Sequence, residues 1–477
     1  MDAPRARTAT GLVQGGWENG VAAFRGVPFA APPVGAHRFA APRPAAPWDG
    51  VRDVSRFGPP PPQPGAASAG DDWLTLAVWT PDPGATGLPV VAWISGGAYL
   101  RCTTANPHFN GATLAAGGAV VVSANYRTGA EGFAHLPGAP DNRGLLDQAA
   151  ALRWIQDNVA GFGGDPGNVT VFGQSAGAGS IAALLVMPSA AGLFRRAIMQ
   201  SLPGTYFSTA LAADIAAEIG RSQQAGQLAD VAPQDLVLAA RTVTDRLPRY
   251  ARRWGPIALT PTPFSPVVDG EILPDAPWRA LAAGAARGVD LLIGHTRDEF
   301  RLLAARLDEA TDDQVDTLMD NLAPTVSATG YRAAFPDASA AELREVAVGD
   351  WLMRMPTSHL ADAARAGGAR VWMYELCWGF GQQGASHGLD TLLVFGTTDI
   401  DGEVTAAGPA MVEQAQRLSE LMRAECLAFA ATGDPGWDRY DGHVTRVYDA
   451  EPAVRPYPEE RSRRLWRDWR FGALGLT

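Results

Sequence analysis

The sequence predicts an α/β fold: a central, mostly parallel twisted β-sheet flanked by helices. Three observations carry that expectation. Continuous apolar runs of strand length, Pro89–Ile94 and Ala119–Asn125, are followed by Leu145–Asn158, whose Leu145, Leu146, Ala149, Leu152 and Ile155 recur at helical spacing. A short strand, Asn168–Phe172, and the turn Gly173-Gln174-Ser175-Ala176-Gly177 then lead into an apolar helix, Ser180–Met187. Strand, helix and strand in that order form a βαβ unit, which makes neighbouring strands parallel and covers the sheet with helices.

Taken in order, residues 8–48 are short β-prone runs broken by Pro and Gly, which suit edge strands and ordered loops rather than a separate domain. Residues 59–64, four prolines followed by Gln and Pro, can form neither helix nor inner strand and mark an exposed loop before the strand Leu74–Trp79. The run Pro89–Ile94 ends in Ser95-Gly96-Gly97-Ala98-Tyr99, where small residues let successive N–H groups converge on one spot. Beyond residue 188 the chain reads as mostly helical and alanine-rich, apart from strands at Val289–Gly294, Val371–Leu376 and Val444–Tyr448. Residues 205–260 and 302–370 read as helical insertions over the carboxyl ends of the strands, within a single unit spanning 1–477.

Composition excludes several chemistries. All 39 basic residues are arginine, so Schiff-base catalysis, P-loop nucleotide binding and Ser–Lys dyads are ruled out for want of a lysine amine. A net charge of −11 argues against nucleic-acid or anionic-membrane partners. Cys102, Cys377 and Cys426 are odd in number and widely separated, which suits buried thiols better than a disulfide framework or a metal cluster. With no apolar leader at the first residues and no run of membrane-spanning length, a soluble protein of a reducing cytoplasm is expected.

Gly173–Gly177 has the form of a nucleophile elbow, a strained strand-to-helix turn that exposes the Ser175 hydroxyl. A serine hydroxyl needs a base, and the base a buried carboxylate, in the chain order Ser, Asp or Glu, His. His295, His359 and His387 lie downstream of the insertion that follows Ser201 and before the final segment. His387, in the Gly-flanked loop Gly384–Asp390, can swing over a pocket; His359 suits a surface or packing place. Asp298 and Glu299 follow a strand end, and spacing alone chooses neither between them nor against His295 as base.

These motifs resemble the type-B carboxylesterases, a family of α/β-hydrolase fold that includes para-nitrobenzyl esterases and cholinesterases. The similarity runs through Phe24–Phe39, Asp71–Pro81, Val90–Gly111, Asn125–Phe133, Asn142–Gly179, Ile198–Ser201, Leu291–Phe300 and Gly384–Gly396. The resemblance implies Ser175 as nucleophile, Glu299 as acid and His387 as base, with the amides of Gly97, Ala98 and Ala176 as oxyanion hole and Ser201 in support. It implies a small-molecule ester as substrate, no metal or other cofactor, and a monomer or homodimer. Hydrolysis through an acyl-serine is the expected outcome, with acyl transfer, lactone chemistry or a biosynthetic tailoring step as the alternative and a non-catalytic binding module behind both. This chain departs from the family at Ser95, where a histidine is usual, and at Gln174, where glutamate is commoner. It also carries Pro61 and Trp73 at the positions of a common disulfide, and Arg101, a solvated surface residue or a clamp for a substrate carboxylate, where small or apolar residues are usual. Phe207, Trp254 and Phe300 are candidate pocket aromatics.

Overall fold

The computed structural model describes residues 2–66, 70–222, 228–301, 310–399 and 401–477. Its large sheet is built from β1 (Gly16–Glu18), β2 (Val21–Pro28), β3 (Thr75–Thr80), β4 (Leu88–Ile94), β5 (Val120–Ala124), β6 (Gly164–Gln174), β7 (Arg196–Gln200), β8 (Asp290–Thr296), β9 (Arg370–Leu376), β10 (Val444–Tyr448) and β11 (Ala453–Pro456). Across the sheet they run β11-β10-β9-β8-β7-β6-β4-β5-β3-β2-β1. Every pairing from β5 to β10 is parallel, and the pairings outside that span are antiparallel.

The central strands are apolar throughout because both faces are covered. In β4, Val90, Ala92 and Ile94 enter one core while Val91 and Trp93 enter the other. Helices α1 (Arg143–Asn158) and α2 (Ala176–Leu184) supply Leu145, Ala149, Ala178 and Ile181 to the first core. Helices α3 (Leu389–Phe395) and α4 (Pro409–Thr432) supply Leu393, Met422 and Phe429 to the second.

Two strands escape sequence reading. β7, Arg-Ala-Ile-Met-Gln, offers three apolar residues between polar ends, yet it is the strand beside the elbow strand, and all five of its residues are buried. β11 is short and largely exposed at the sheet edge. The helix after the elbow begins at Ala176 rather than Ser180, since the small residues from 176 to 179 are themselves its first turn. The expected insertions contain helices Thr209–Ser222, Pro233–Thr244, Asp312–Leu322, Ala328–Ala334, Ala340–Gly349 and Met355–Ala366. The parts of those insertions at 223–227 and 302–309 lie outside the described residues.

Candidate active site

Strand register places the site. Gln174 of β6, Gln200 of β7 and Gly294 of β8 stand side by side, so the residues just beyond them share one rim of the sheet. The ladder continues one step past the strands: Ser175 N–H donates to Gln200 O at 2.8 Å, and Ser201 N–H donates to Gly294 O at 2.8 Å.

Ser175 turns the chain from β6 into α2 at φ 56°, ψ −127°, a conformation that L-residues rarely hold. The flanking glycines are needed for contact rather than for flexibility. A Cβ on Gly177 would lie 2.1 Å from Ile94 O, and one on Gly173 would lie 2.8 Å from the Gly177 carbonyl carbon. The Ser175 side chain is half-buried, and its hydroxyl forms no hydrogen bond with a described residue.

His387 lies within reach of this turn. Its Nδ1 is 2.5 Å from Glu299 Oε2, and its Nε2 is 3.0 Å from the side-chain amide nitrogen of Gln174, the residue before Ser175. An Nδ1–H that donates to the carboxylate leaves Nε2 as an acceptor, the tautomer a general base requires. Glu299 is buried, and its Oε1 accepts the Thr296 N–H at 2.9 Å. Burial pushes its pKa up, but the charge and hydrogen bond of His387, the nearby Ser201 hydroxyl and His295 together hold it below the usual glutamate value. For His387, burial pulls the pKa down while the charge and hydrogen bond of Glu299 raise it further, leaving it above the ordinary histidine value.

The candidates left open by spacing part company here. Asp298 accepts the Ala385 N–H at 2.8 Å and pairs with Arg301 at 2.8 Å, so it fastens the loop that carries His387. His295 is fully buried, with Nδ1 3.0 Å from Thr296 O and Nε2 2.7 Å from the Tyr457 hydroxyl; both nitrogens are occupied, and burial lowers its pKa. His359 packs edge-on against Phe471, and burial, reinforced by Arg470 and Arg463, pushes its pKa down to about 4.

The Ser95–Tyr99 segment lies against the elbow. Gly97, Ala98 and Tyr99 all have positive φ, at 124°, 56° and 57°. A Cβ on Gly96 would meet Gln174 O at 2.6 Å. Among the described residues the N–H groups of Gly97, Ala98 and Ala176 have no hydrogen-bond partner, as an oxyanion site requires. Ser95 is buried, its hydroxyl donates to Gly96 O at 3.2 Å, and the Tyr126 hydroxyl props the loop by donating to Ser95 O at 2.6 Å. That phenol and the Gln174–His387 contact were not read from the sequence, although the place of Gln174 beside the serine was a signal. Ser201 is fully buried at φ 53°. Phe207, Trp254 and Phe300 belong to the core, and Pro61 and Trp73 are buried.

A strained serine at a strand-to-helix elbow on this sheet defines an α/β-hydrolase. The model of the Carboxylesterase family matches residues 2–457, and the chain belongs to that family: it is a carboxylic ester hydrolase. It is 36% identical over 486 residues to the para-nitrobenzyl esterase of Bacillus subtilis (strain 168), covering 96% of this chain and 97% of that one. It is 34% identical over 485 residues to the phenmedipham hydrolase of Pseudarthrobacter oxydans, with 94% of each covered. A carboxylesterase structure from Geobacillus stearothermophilus superposes with a TM-score of 0.87 at 32% identity, covering 97% of this chain and 99% of that one.

Proposed function

We propose that Ser175, His387 and Glu299 perform the hydrolysis as nucleophile, base and acid, with the amides of Gly97, Ala98 and Ala176 as oxyanion hole. The observation that carries this is the Glu299–His387 hydrogen bond, which turns Nε2 towards the Gln174–Ser175 turn. Ser175 Oγ attacks the ester carbonyl as its proton passes to His387 Nε2, and the carbonyl oxygen becomes an oxyanion held by the three amides. Glu299 steadies the imidazolium. The acyl carbon–oxygen bond to the alcohol then breaks as His387 returns the proton to the leaving oxygen. Water repeats the cycle, giving the acid and freeing Ser175.

Ser175→Ala is expected to lower kcat by about 10⁶, and Glu299→Gln by less, about 10⁴. An organophosphonate should label wild-type protein at Ser175 and leave Ser175→Ala unlabelled. Ester turnover that survives Ser175→Ala would refute the assignment. We also place the protein in a reducing compartment, a reading supported by three free, buried cysteines.

A further inference from the structure

Beside the elbow lies a cavity of about 370 Å³ whose walls include Gln63, Gly96, Gly97, Arg101, Phe109 and Gln174. It adjoins the reacting centre on two sides, since Gly97 contributes one of the oxyanion amides and Gln174 is the residue before Ser175. Gln174 also touches the histidine of the site. Its amide nitrogen is 3.0 Å from His387 Nε2, the atom that returns a proton to the departing alcohol.

Arg101 is the one charged residue in its described lining. Its backbone is locked to the oxyanion turn: Arg101 N–H donates to Gly97 O at 3.1 Å, and a Cβ on Gly97 would lie 2.3 Å from Arg101 O. The next residue is clamped as well, because Gln63 accepts the Cys102 N–H at 2.7 Å and donates to Cys102 O at 3.0 Å. The backbone here is thus held, and it carries an exposed arginine that lines the cavity. Among the described residues no carboxylate pairs with Arg101 and none lines the cavity. A planar guanidinium presents two parallel N–H donors to a carboxylate, and a partly enclosed site screens the pair less than open water does.

We propose that this cavity selects esters that carry an additional, ionised carboxylate, with Arg101 as the residue that binds it. The proposal rests on the triad reading above, since that reading makes the elbow beside the cavity the reacting centre.

The test uses the full chain and two isosteric esters, 4-acetoxybenzoate and the neutral 4-acetoxybenzamide. The readout is the ratio of their kcat/KM values, so that intrinsic differences in leaving-group reactivity cancel between variants. Arg101→Gln should lower the charged-to-neutral ratio by about tenfold, chiefly through KM, with a smaller loss for Arg101→Lys; for the wild type the ratio should also fall as salt rises. A second measurement needs no turnover: the product 4-hydroxybenzoate should slow phosphonate labelling of Ser175, and Arg101→Gln should require about tenfold more of it. A ratio and a protection constant unchanged by Arg101→Gln would overturn the proposal while leaving the esterase assignment intact. Turnover of either ester by Ser175→Ala would instead overturn the triad.

Discussion

Asp298 and Glu299 are neighbours in sequence with opposite duties. Glu299 turns inward to the imidazole, whereas Asp298 turns to the backbone of the next loop and to Arg301. The electrostatics of His387 follow from that split and set a pH dependence. Burial favours its neutral form, but Glu299 more than offsets burial, so the ring keeps its proton to a pH above 6.5. A general base must be unprotonated, and the rate therefore falls as pH drops through that raised value. The acid limb of kcat/KM should have its inflection above 6.5 in the wild type. In Glu299→Gln the attraction is gone and burial remains, so the residual activity should show a limb moved to lower pH. A pH–rate profile of both proteins checks this, and a limb that stays put in the variant counts against the coupling.

At the scale of elements, the site depends on how a loop is tied to a strand end. The loop bearing His387 is anchored by Asp298 N–H donating to Ala385 O at 3.0 Å, by the reciprocal bond from Ala385 N–H, and by Gly384. Gly384 stands at φ 61°, where a Cβ would lie 2.3 Å from Asp298 Oδ2. A second anchor comes from β9: the Tyr374 ring crosses the space left by Gly294, and its hydroxyl donates to Asp390 Oδ2 at 2.6 Å, on the first turn of α3. Removing the first anchor should loosen the imidazole without removing any reacting group. Asp298→Ala is expected to lower kcat by roughly 10²-fold, the scale of a misplacement near 1 Å, with less effect from Asp298→Asn, which keeps an acceptor for Ala385. Steady-state kinetics alongside thermal unfolding checks it: a fall in kcat that merely tracks unfolding would assign Asp298 to general stability.

At the scale of the whole molecule, the segment after β5 is joined to α1 by a fully buried ion pair. Arg127 Nε and its own backbone N–H donate to Asp147 Oδ2 at 2.8 and 2.9 Å, and a second guanidinium nitrogen donates to Oδ1 at 2.8 Å. Taking away one partner strands the other charge, so Asp147→Ala should cost about 3–5 kcal/mol, read from the denaturant midpoint. A loss under 1 kcal/mol would mean that water reaches the guanidinium. Much of this architecture was legible in the chain. The apolar strands, the helix α1, the elbow and the small-residue turn after β4 all declare themselves through local periodicity and steric need, properties that neighbouring residues settle among themselves. β7 was not legible, since five residues with polar ends gain strand character only from the two neighbours they pair with. The same holds for the filling of both His295 nitrogens and the turning of the Gln174 amide to His387, whereas spacing left Asp298 and Glu299 open and the family resemblance pointed to Glu299. By itself, then, the sequence determined the family, the fold and the residue types available for ester hydrolysis. The resemblance already pointed to Glu299 and His387, but only the tertiary structure decided how each is held and which amide reaches the imidazole, because those contacts join residues scores of positions apart and depend on strand register and burial.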